Sequence, residues 1–189
     1  MALPAIDNCN GAASTISSNW TRDLGNLVYN GSGQLHTFTS AFNLARWTAD
    51  GFANDQYAQG VTNSGDYGAV ATRLTASPSG YLHFGSAGAS SLQRLDAGTG
   101  TVLQTLPLLS GTKTLRLESV GSVHRCFVSG VQVGTNVTDA TYASGAGGVC
   151  CYNIGPELDD IELGNVGAVG GFQAARAAGS NVLLQPGVR

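Results

Sequence analysis

The sequence has few charged side chains and almost no lysine. Asp, Glu, Lys and Arg make up 11% of its 189 residues, and Lys113 is its only lysine. Because the solvent-facing sides of helices are usually built from long charged residues, this scarcity argues against a helical protein. Tryptophan is also scarce, with two residues, whereas glycine is abundant, with 27. Short strands joined by tight turns have this composition.

Clustered positive charge, a membrane span and an export signal are missing as well. The net charge is −3 and the arginines are spread singly along the chain, which argues against binding to nucleic acid. No apolar run approaches the roughly 18 residues that a membrane span needs. Residues 1–4 lack the basic and apolar regions of a signal peptide. We therefore expect a protein that is made in the cytoplasm and binds neither nucleic acid nor membrane.

The four cysteines have no metal-binding spacing. None of Cys9, Cys126, Cys150 and Cys151 has a histidine nearby in a zinc-finger arrangement. The adjacent Cys150 and Cys151 would point to opposite faces of a strand, which disfavours a bond between them. We expect buried thiols that act as small apolar residues, with a bridge from Cys9 to Cys126 or to Cys150 as the alternative.

Strand-like segments recur roughly every 8 to 12 residues with turn residues between them, which is typical of β-sandwiches and barrels. The predicted strands lie near 19–23, 27–30, 34–38, 42–47, 56–62, 69–74, 81–84, 92–96, 101–106, 114–120, 123–128, 131–134, 149–153 and 159–163. The clearest segment, 112–134, alternates Leu115 and Leu117 with charged residues and contains two tight turns, which predicts a three-strand meander. Residues 1–165 therefore form the predicted all-β domain.

Residues 166–189 differ in character from the rest of the chain. They are rich in Gly, Ala and Val, and they lack strand alternation. Only residues 172–178 have a helix-forming composition. We expect a C-terminal tail that packs on its own sandwich or on a neighbouring subunit. Its candidate assembly residues are apolar: Phe172, Val182, Leu183 and Leu184.

Several short motifs follow one another in a characteristic order. They are IDNCN (6–10), NWT (19–21), ARW (45–47), NDQYAQ (54–59), LRLE (115–118), TYASG (141–145) and LDDIE (158–162). In this order they resemble concanavalin A-like lectin and glucanase jelly-roll domains, and the resemblance covers roughly residues 6–165. It implies a two-sheet antiparallel jelly-roll sandwich. Domains of this kind are common among the virion proteins of tailed bacteriophages, which implies a structural or glycan-binding role.

The resemblance also raises the question of an enzyme. Retaining β-glucanases of this fold use two carboxylates about 5 Å apart, and Glu157 and Glu162 have the matching spacing. Three features argue against activity: the motif lies on the last strand, Asp160 replaces a usual apolar residue, and two tryptophans are too few for a substrate cleft. We expect Ile161 and Leu163 to face the core, the carboxylates to lie at the rim, and no catalysis.

Metal and triad chemistry have little support. Jelly-roll domains often carry a structural Ca²⁺ where the chain ends meet, and the resemblance implies Asp7 with Asp159 or Asp160 as its ligands. Solvated carboxylates, or hydrogen bonds to turn amides, are the alternative. The three histidines lie inside predicted strands, where packing is their usual role, and no serine has a nucleophile-elbow pattern. They are His36, His83 and His124. No other cofactor is expected.

The leading prediction is a non-enzymatic virion protein, a capsid decoration (cement) protein that oligomerises on a phage head and binds the major capsid protein or other virion subunits. The alternative is a glycan-binding module of a tail or head fibre, and a β-glucanase-like hydrolase is less favoured. Sugar recognition needs aromatic faces and planar polar side chains. The candidate residues for it are Arg46, Trp47, Tyr57, Gln59 and Arg94, although Trp47 fits the core equally well.

Overall fold

The computed structural model describes residues 3–38, 41–62, 67–152 and 158–167, and every regular element in them is a β-strand. The strands are β1 (Ala5–Asp7), β2 (Trp20–Leu24), β3 (Leu27–Tyr29), β4 (Leu35–Thr37), β5 (Phe42–Trp47), β6 (Gln56–Thr62), β7 (Gly68–Leu74), β8 (Gly80–Gly85), β9 (Ser90–Asp96), β10 (Thr99–Thr105), β11 (Lys113–Val120), β12 (Val123–Val128), β13 (Val131–Thr138), β14 (Ala146–Tyr152) and β15 (Leu158–Asn165). No helix in these described ranges is long and apolar enough to cross a membrane. The all-β prediction is confirmed.

The strands form two antiparallel sheets that enclose a common core. Sheet A has the order β13-β12-β11-β6-β15-β4-β3, and β1 also pairs with β15. Sheet B has the order β10-β9-β8-β7-β14-β5-β2. Strands that are distant in sequence meet in the middle of each sheet, β15 beside β6 and β14 beside β7. These long-range pairs produce the predicted two-sheet jelly-roll sandwich.

The predicted three-strand meander is formed by β11, β12 and β13. Leu115 pairs with Val128 and Leu117 with Cys126 across β11 and β12. Both leucines are fully buried, whereas the intervening Arg116 lies on the outer face of sheet A and is partly exposed. The period-two alternation of the sequence therefore places one face of the meander in the core and the other towards solvent.

The main core lies between the sheets and contains both tryptophans. Trp20 and Trp47 pack edge to face with ring centroids 5.0 Å apart, and they are 5% and 2% exposed. Leucines from both sheets belong to the same core, and each stabilises the fold by about 1.5–3 kcal/mol relative to an exposed side chain. The fully buried leucines of this core are Leu27, Leu35, Leu92, Leu115, Leu117, Leu158 and Leu163.

Polar side chains inside this core are hydrogen-bonded to one another. Ser119 Oγ lies 2.8 Å from His124 Nδ1 and 2.7 Å from Thr72 Oγ1. The Tyr81 ring packs on the His124 ring, with centroids 3.8 Å apart. All four residues are fully buried, so this serine–histidine pair cannot meet a substrate. His124 and the equally buried His83 are packing residues, as the sequence predicts.

Sheet B curves so strongly that its outer face encloses a second apolar cluster. A Cβ atom built on Gly98, in the β9–β10 turn, would lie 3.6 Å from Leu24 Cδ2 on β2, and one built on Gly100 would lie 3.9 Å from Phe42 Cζ on β5. In sheet B, β10 is one edge strand, whereas β2 is the other edge strand and β5 is its neighbour. The buried cluster between them contains Leu44, Ala69, Ala71, Leu74, Leu82, Phe84, Leu95 and Cys150. Strands β7 and β8 are buried on both faces and therefore show no polar alternation.

Some predicted details differ from the structure. Strand β1 is absent from the prediction because three residues are too few to show an alternating pattern. Strand β13 continues to Thr138, beyond its predicted end at Gly134. Gly134 adopts φ +69° within an irregular part of the β12–β13 pairing, and the strand extends past this irregularity. Strand β14 begins at Ala146, where two further glycines hide the strand pattern of the sequence.

The cysteines behave as predicted. Cys9, Cys126, Cys150 and Cys151 are buried thiols, and neither of the alternative disulfides is formed. Cys151 faces the main core, and the adjacent Cys150 faces the second cluster on the other side of sheet B. Burial raises the pKa of the Cys150 thiol to about 12, so this thiol is protonated at neutral pH.

The predicted tail lies outside the described residues from residue 168 onwards. This range includes the short helical segment predicted at 172–178. It also includes the four candidate assembly residues Phe172, Val182, Leu183 and Leu184. Their roles stay predictions.

Candidate functional site

The structure separates the five predicted glycan-binding residues. Tyr57 and Gln59 lie side by side on the outer face of sheet A, while Arg46 and Arg94 belong to sheet B. Trp47 is in the core, and its indole N–H donates to Asp50 Oδ2 over 2.9 Å. The prediction of Trp47 as a sugar-stacking residue is wrong because only 2% of its surface is exposed.

Both predicted arginines are engaged in ion pairs. Arg46 donates to the two carboxylate oxygens of Asp23 over 3.0 and 3.1 Å. Arg94 donates to Asp96 and, over 2.9 Å, to Asp139, which ties β9 to the β13–β14 loop. Burial alone would raise the pKa of Asp139, but hydrogen bonds from Thr141, Tyr81 and Arg94 outweigh it and hold the pKa well below its ordinary value. These two arginines hold loops and edges in place.

The Tyr57 ring is already covered on the outer face of sheet A. The Arg116 guanidinium carbon lies 3.7 Å from the ring centroid, and the phenol donates to Glu162. The ring extends over β15, where a Cβ on Gly164 would lie 2.7 Å from Tyr57 Cε1. Burial and the hydrogen bond to Glu162 raise the pKa of Tyr57 to about 12. Tyr57 therefore joins β6, β11 and β15, and a sugar could stack on it only by displacing Arg116.

The apolar residues of the last strand face the core, as the sequence predicts. Ile161 and Leu163 are buried in the main core, and Glu162 points to the outer face. Glu157 lies outside the described residues. Asp160 is exposed at φ +46°, within an irregular stretch of the β15–β6 pairing.

The predicted calcium ligands have other partners. Asp7 Oδ1 accepts a hydrogen bond from the Cys9 amide, and Asp7 Oδ2 accepts from Trp20 Nε1 and the Tyr29 hydroxyl, over 2.6–2.8 Å. Asp159 Oδ1 accepts from the Asp160 amide. Across the described residues no three His, Cys, Asp or Glu side chains form a group that could hold a metal. The described side chains therefore give no support to a Ca²⁺ site, and the calcium site stays a prediction.

A concave site lies at one end of the sandwich, in a pocket of about 780 Å³ that we call the end pocket. Four segments form its wall: the β5–β6 loop, the β11–β12 turn, the β13–β14 loop and the residue after β15. The end of β7 completes it. The lining residues are Ala53, Asn54, Asp55, Arg73, Gly121, Ser122, Ala140, Ala143 and Val166. This volume is typical of sites for small organic ligands.

Arg73 brings a buried positive charge to the end pocket. Its backbone is left-handed, with φ +56°, and its side chain is 1% exposed. Nε donates to the Asn54 carbonyl over 2.9 Å and Nη1 to the Tyr142 carbonyl over 3.1 Å. Nη2 has no hydrogen-bond partner among the described residues, and its closest acidic group is Asp55 Oδ1, 3.8 Å away. A buried guanidinium nitrogen without an acceptor is unusual. Because Nη2 is itself buried, a ligand in the end pocket would reach it only if the wall moved.

The walls of the end pocket are fixed by hydrogen bonds before any ligand arrives. Asp55 Oδ1 accepts from the Gly121 amide over 2.8 Å, and the Asp55 carbonyl accepts from the Val166 amide over 2.9 Å. The buried Gln56 side chain donates to the Ala53 and Gly145 carbonyls. Because these bonds join the separate segments, little ordering remains to be done on binding.

Sequence reasoning did not identify the end pocket, although one signal points to it. Arg73 is the only Asp, Glu, Lys or Arg between residues 67 and 93. An isolated charge at the end of an apolar strand needs a partner or a function, since burying a charge is costly. The partners come from loops distant in sequence, so the sequence alone could not assemble them.

A group of aromatic rings that the sequence does not predict lies at the opposite end of sheet B. Phe42 and Tyr152 have centroids 4.8 Å apart, and Tyr67 and Phe84 are 5.7 Å apart. Tyr152 is 37% exposed. The loops beside these rings, 63–66 and 153–157, are outside the described residues, so the end pocket is the better-defined site.

Comparison with solved structures gives the fold. The carbohydrate binding module CBM66 from Bacillus subtilis has a TM-score of 0.64 at 15% identity, covering 78% of this chain and 96% of the module. A β-glucanase from Bacillus licheniformis has a TM-score of 0.57 at 10% identity, covering 86% and 98%. The exoplasmic/lumenal domain of VIP36, in its Ca²⁺/Man3GlcNAc-bound form, has a TM-score of 0.52 at 10% identity, covering 80% and 87%. The fold is a concanavalin A-like jelly roll.

Sequence comparison adds no family. No protein-family model and no curated protein matches the chain. At 10–15% identity the structural similarity shows the fold alone, and the same fold serves binding modules, lectin-like domains and enzymes. Function therefore has to be argued from the end pocket.

Proposed function

We propose that the protein is a glycan-binding module whose end pocket holds a sugar. The observation that carries the proposal is the lining of this pocket of about 780 Å³, in which the polar residues Asn54, Asp55 and Ser122 lie among small apolar ones. The similarity to a carbohydrate binding module and to a Man3GlcNAc-bound domain supports a glycan as the ligand class. This function corresponds to the alternative reading of the sequence.

The composition of the end pocket suits a sugar. Asp55, Asn54 and Ser122 offer a carboxylate, an amide and a hydroxyl, and the buried Arg73 places a positive charge behind them. Four small apolar residues also line the pocket and can cover the C–H faces of a pyranose ring: Ala53, Ala140, Ala143 and Val166. No aromatic ring is among the lining residues, so recognition would rest on hydrogen bonds to hydroxyl groups.

The proposed function is binding without turnover. Glycosidases use a pair of carboxylates on either side of the scissile bond, whereas the end pocket is lined by one acidic residue, Asp55. Glu162, the described member of the predicted catalytic pair, accepts the Tyr57 hydrogen bond on the outer face of sheet A. We expect no hydrolysis of β-glucans.

The phage context stays a prediction from the sequence resemblance. The three similar structures give no support to a capsid decoration protein, and the tail that would bind capsid subunits lies outside the described residues. A virion location, capsid partners and a homo-oligomer are therefore not part of the present proposal. A glycan-binding module of a phage fibre would be compatible with all of them.

The proposal is tested by filling the end pocket. Ala143 is exposed on the wall, so Ala143→Leu adds bulk to the pocket without disturbing the core. We expect the wild-type chain to show saturable binding on a glycan array, and the variant to bind the same glycans at least about tenfold more weakly by calorimetry. The matched control is Ala87→Leu, an exposed alanine in the β8–β9 turn outside the pocket, which should bind as the wild type does.

Two results would contradict the proposal. The first is a glycan array on which the wild-type chain binds nothing. The second is unchanged affinity in Ala143→Leu, provided that thermal unfolding shows both variants folded; this would place the binding site elsewhere on the molecule.

A further inference from the structure

We infer that the C-terminal tail, from residue 168 onwards, docks into the end pocket of its own sandwich and competes there with the proposed glycan. The competition rests on the proposed glycan binding, whereas the docking of the tail does not. Three features of the chain support the docking: the place where the tail begins, the distance that it can reach, and the match between its first bulky residues and the pocket wall.

The tail begins in the wall of the end pocket. Val166 is one of the lining residues, and its amide donates to the Asp55 carbonyl over 2.9 Å, which ties it to the β5–β6 loop. Gly167 follows, and a Cβ built on it would meet no atom of the described residues within 4 Å. The chain therefore leaves the wall at the pocket itself, and residues 168–189 continue from this point.

The tail is long enough to turn back into the pocket. Phe172 is six residues beyond Val166, and an extended segment of this length spans up to about 20 Å. Gly167, Gly170 and Gly171 lie between them, and glycine readily adopts the positive φ values that a sharp reversal needs. The first aromatic residue of the tail can therefore reach the pocket from the wall in which the tail begins.

The wall of the end pocket has room for a bulky side chain. Ala53, Gly121, Ala140 and Ala143 are among its lining residues, and none of these side chains extends beyond a Cβ atom. Phe172 is the only aromatic residue of the tail. If its ring lay against these small residues, apolar surface of both the ring and the wall would be removed from water. The pocket and Phe172 are therefore complementary in apolar character.

The charges of the tail and the pocket are complementary as well. Asp55 is the only acidic lining residue, its side chain is 43% exposed, and its side-chain contacts among the described residues use Oδ1. Arg176 is the only charged residue in 168–188. It lies four residues after Phe172, so a helical turn over 172–178 would place both side chains on one face. Asp55 Oδ2 could then accept from Arg176 while Phe172 lies on the apolar wall.

The short connection favours the tail of the same chain over that of a neighbour. A binding segment joined to its site by a short flexible linker has an effective concentration in the millimolar range. A tail from another chain, at the micromolar concentrations of a dilute solution, would have to bind far more tightly to replace it. A sugar meets the same competition, so its apparent affinity falls in proportion to the fraction of chains whose pocket is free.

Disulfide trapping in the full chain tests where the tail lies. The four native cysteines are buried, so thiols placed on exposed residues react selectively. Ala143→Cys puts one thiol on the pocket wall, and Gln173→Cys puts the other next to Phe172. With oxidised glutathione as the electron acceptor, we expect this pair to form a disulfide within one chain at least about tenfold faster than a control pair. Digestion and mass spectrometry identify the bond.

The control pair combines Gln173→Cys with Ala87→Cys. Ala87 is exposed in the β8–β9 turn, just after Gly85, which pairs with Gly68 at the start of β7. Arg73, which lines the pocket, lies near the other end of β7. Ala87 is therefore at the opposite end of the sandwich from the pocket, and a tail that docks in the pocket keeps the two thiols apart.

Changes in the tail identify the contacts. Phe172→Ala removes the ring and Arg176→Glu reverses the charge, and each should slow the 143–173 cross-link at least about fivefold. Arg189→Glu makes the same charge reversal at the last residue and should leave the rate unchanged. Glycans that bind on the array should bind Phe172→Ala at least about threefold more tightly than the wild type, because more of the pockets are free.

Equal rates for the pocket pair and the control pair would overturn the docking. So would disulfides that form only between two chains, since these assign the pocket to the tail of a neighbour. A slower cross-link in Phe172→Ala with unchanged glycan affinity overturns the competition and leaves the docking in place. If the glycan array is empty, the proposed function and the competition fail, whereas the cross-link rates still decide whether the tail docks in the pocket.

Discussion

The Asp7 carboxylate connects three parts of the chain. It accepts hydrogen bonds from the Cys9 amide, the Trp20 indole and the Tyr29 hydroxyl. Burial and the bond to Asp7 raise the pKa of Tyr29 above its ordinary value, which keeps this phenol in its donating form. The short strand β1 is thereby attached to β2 and β3 by side chains as well as by its pairing with β15.

The Asp7→Asn substitution should destabilise the fold. The new amide oxygen can replace only one of the two carboxylate oxygens, so the NH₂ group must face either the Trp20 indole or the Cys9 amide, both of which only donate. We expect a loss of about 1–3 kcal/mol in the free energy of unfolding, measured in urea. The exposed Asp160→Asn should change stability by no more than about 0.5 kcal/mol. Equal stability of Asp7→Asn and the wild type would show that the three hydrogen bonds contribute nothing.

At the same scale, Trp47 and Arg73 show what a residue type can and cannot reveal. The adjacent Arg46 and Trp47 are the residue types that bind sugars, which predicts a sugar-binding role for Trp47. In the structure, however, Trp47 is buried against Trp20. Arg73 attracted no functional prediction, yet it is among the lining residues of the end pocket, and its buried Nη2 has no hydrogen-bond partner among the described residues. Both outcomes depend on neighbours from other strands, which the local sequence does not contain.

Among the elements, β6 and β15 are joined by a side chain as well as by backbone hydrogen bonds. Tyr57 on β6 lies over Gly164 on β15, donates to Glu162 and carries the Arg116 guanidinium on its ring. Gly164 is required here because a Cβ would lie 2.7–2.8 Å from three atoms of the Tyr57 side chain. The long-range pairing of the last strand with β6 is therefore fixed in register by this aromatic–glycine contact.

The Gly164→Ala substitution should displace the Tyr57 ring and break its contacts with Glu162 and Arg116. We expect a loss of about 1–2 kcal/mol in the free energy of unfolding. Gly167→Ala is the control, since a Cβ on Gly167 meets no atom within 4 Å. In a Tyr57→Ala background the Gly164→Ala change should cost almost nothing, and a cost that persists there would rule out the ring as its cause.

Most strands could be predicted because each carries its own signal. The alternation of β11 and the turn residues on either side of it lie within one short segment. This strand can therefore be predicted without knowing which strands it pairs with. Strand β1 is not predicted from the sequence because its three residues owe their conformation to pairing with β15. Strand β14 was placed correctly but too short, since Gly147 and Gly148 conceal a pattern that tertiary packing supports.

In the whole molecule, the two sheets keep two histidines away from water. His83 and His124 are both fully buried between the sheets. Burial lowers the pKa of His83 to about 4, only partly opposed by its hydrogen bond with the Arg116 carbonyl, and burial also lowers the pKa of His124. His83 Nε2 has no hydrogen-bond partner among the described residues, as suits a neutral ring in the core.

Global stability should therefore fall in mild acid. Unfolded histidine takes up a proton below its ordinary pKa of about 6.5, whereas folded His83 does so only near pH 4. Stability is complete above about pH 7 and is lost as the pH falls through this window, by about 3 kcal/mol for His83 alone. Urea unfolding at pH 7.5 and 4.5 measures the loss.

The His83→Gln variant separates this contribution from the carboxylates. Its amide can still donate to the Arg116 carbonyl but does not titrate, so the variant should show a smaller loss between the two pH values even if it is less stable at pH 7.5. Asp139, whose pKa is lowered in the fold, contributes stability that is lost only below about pH 4. A stability that is equal at pH 7.5 and 4.5 would contradict the burial of neutral histidines.

The sequence by itself determined that the chain is all-β, where most strands run and which side of each alternating strand faces the core. These features are local, since they follow from side-chain period and turn chemistry within a few residues. Only the tertiary structure decided that sheet B closes over a second apolar cluster, that Trp47 is buried, and that Arg73 and Asp55 face one pocket. Those results depend on sheet curvature and on pairing between distant strands, which no single segment encodes.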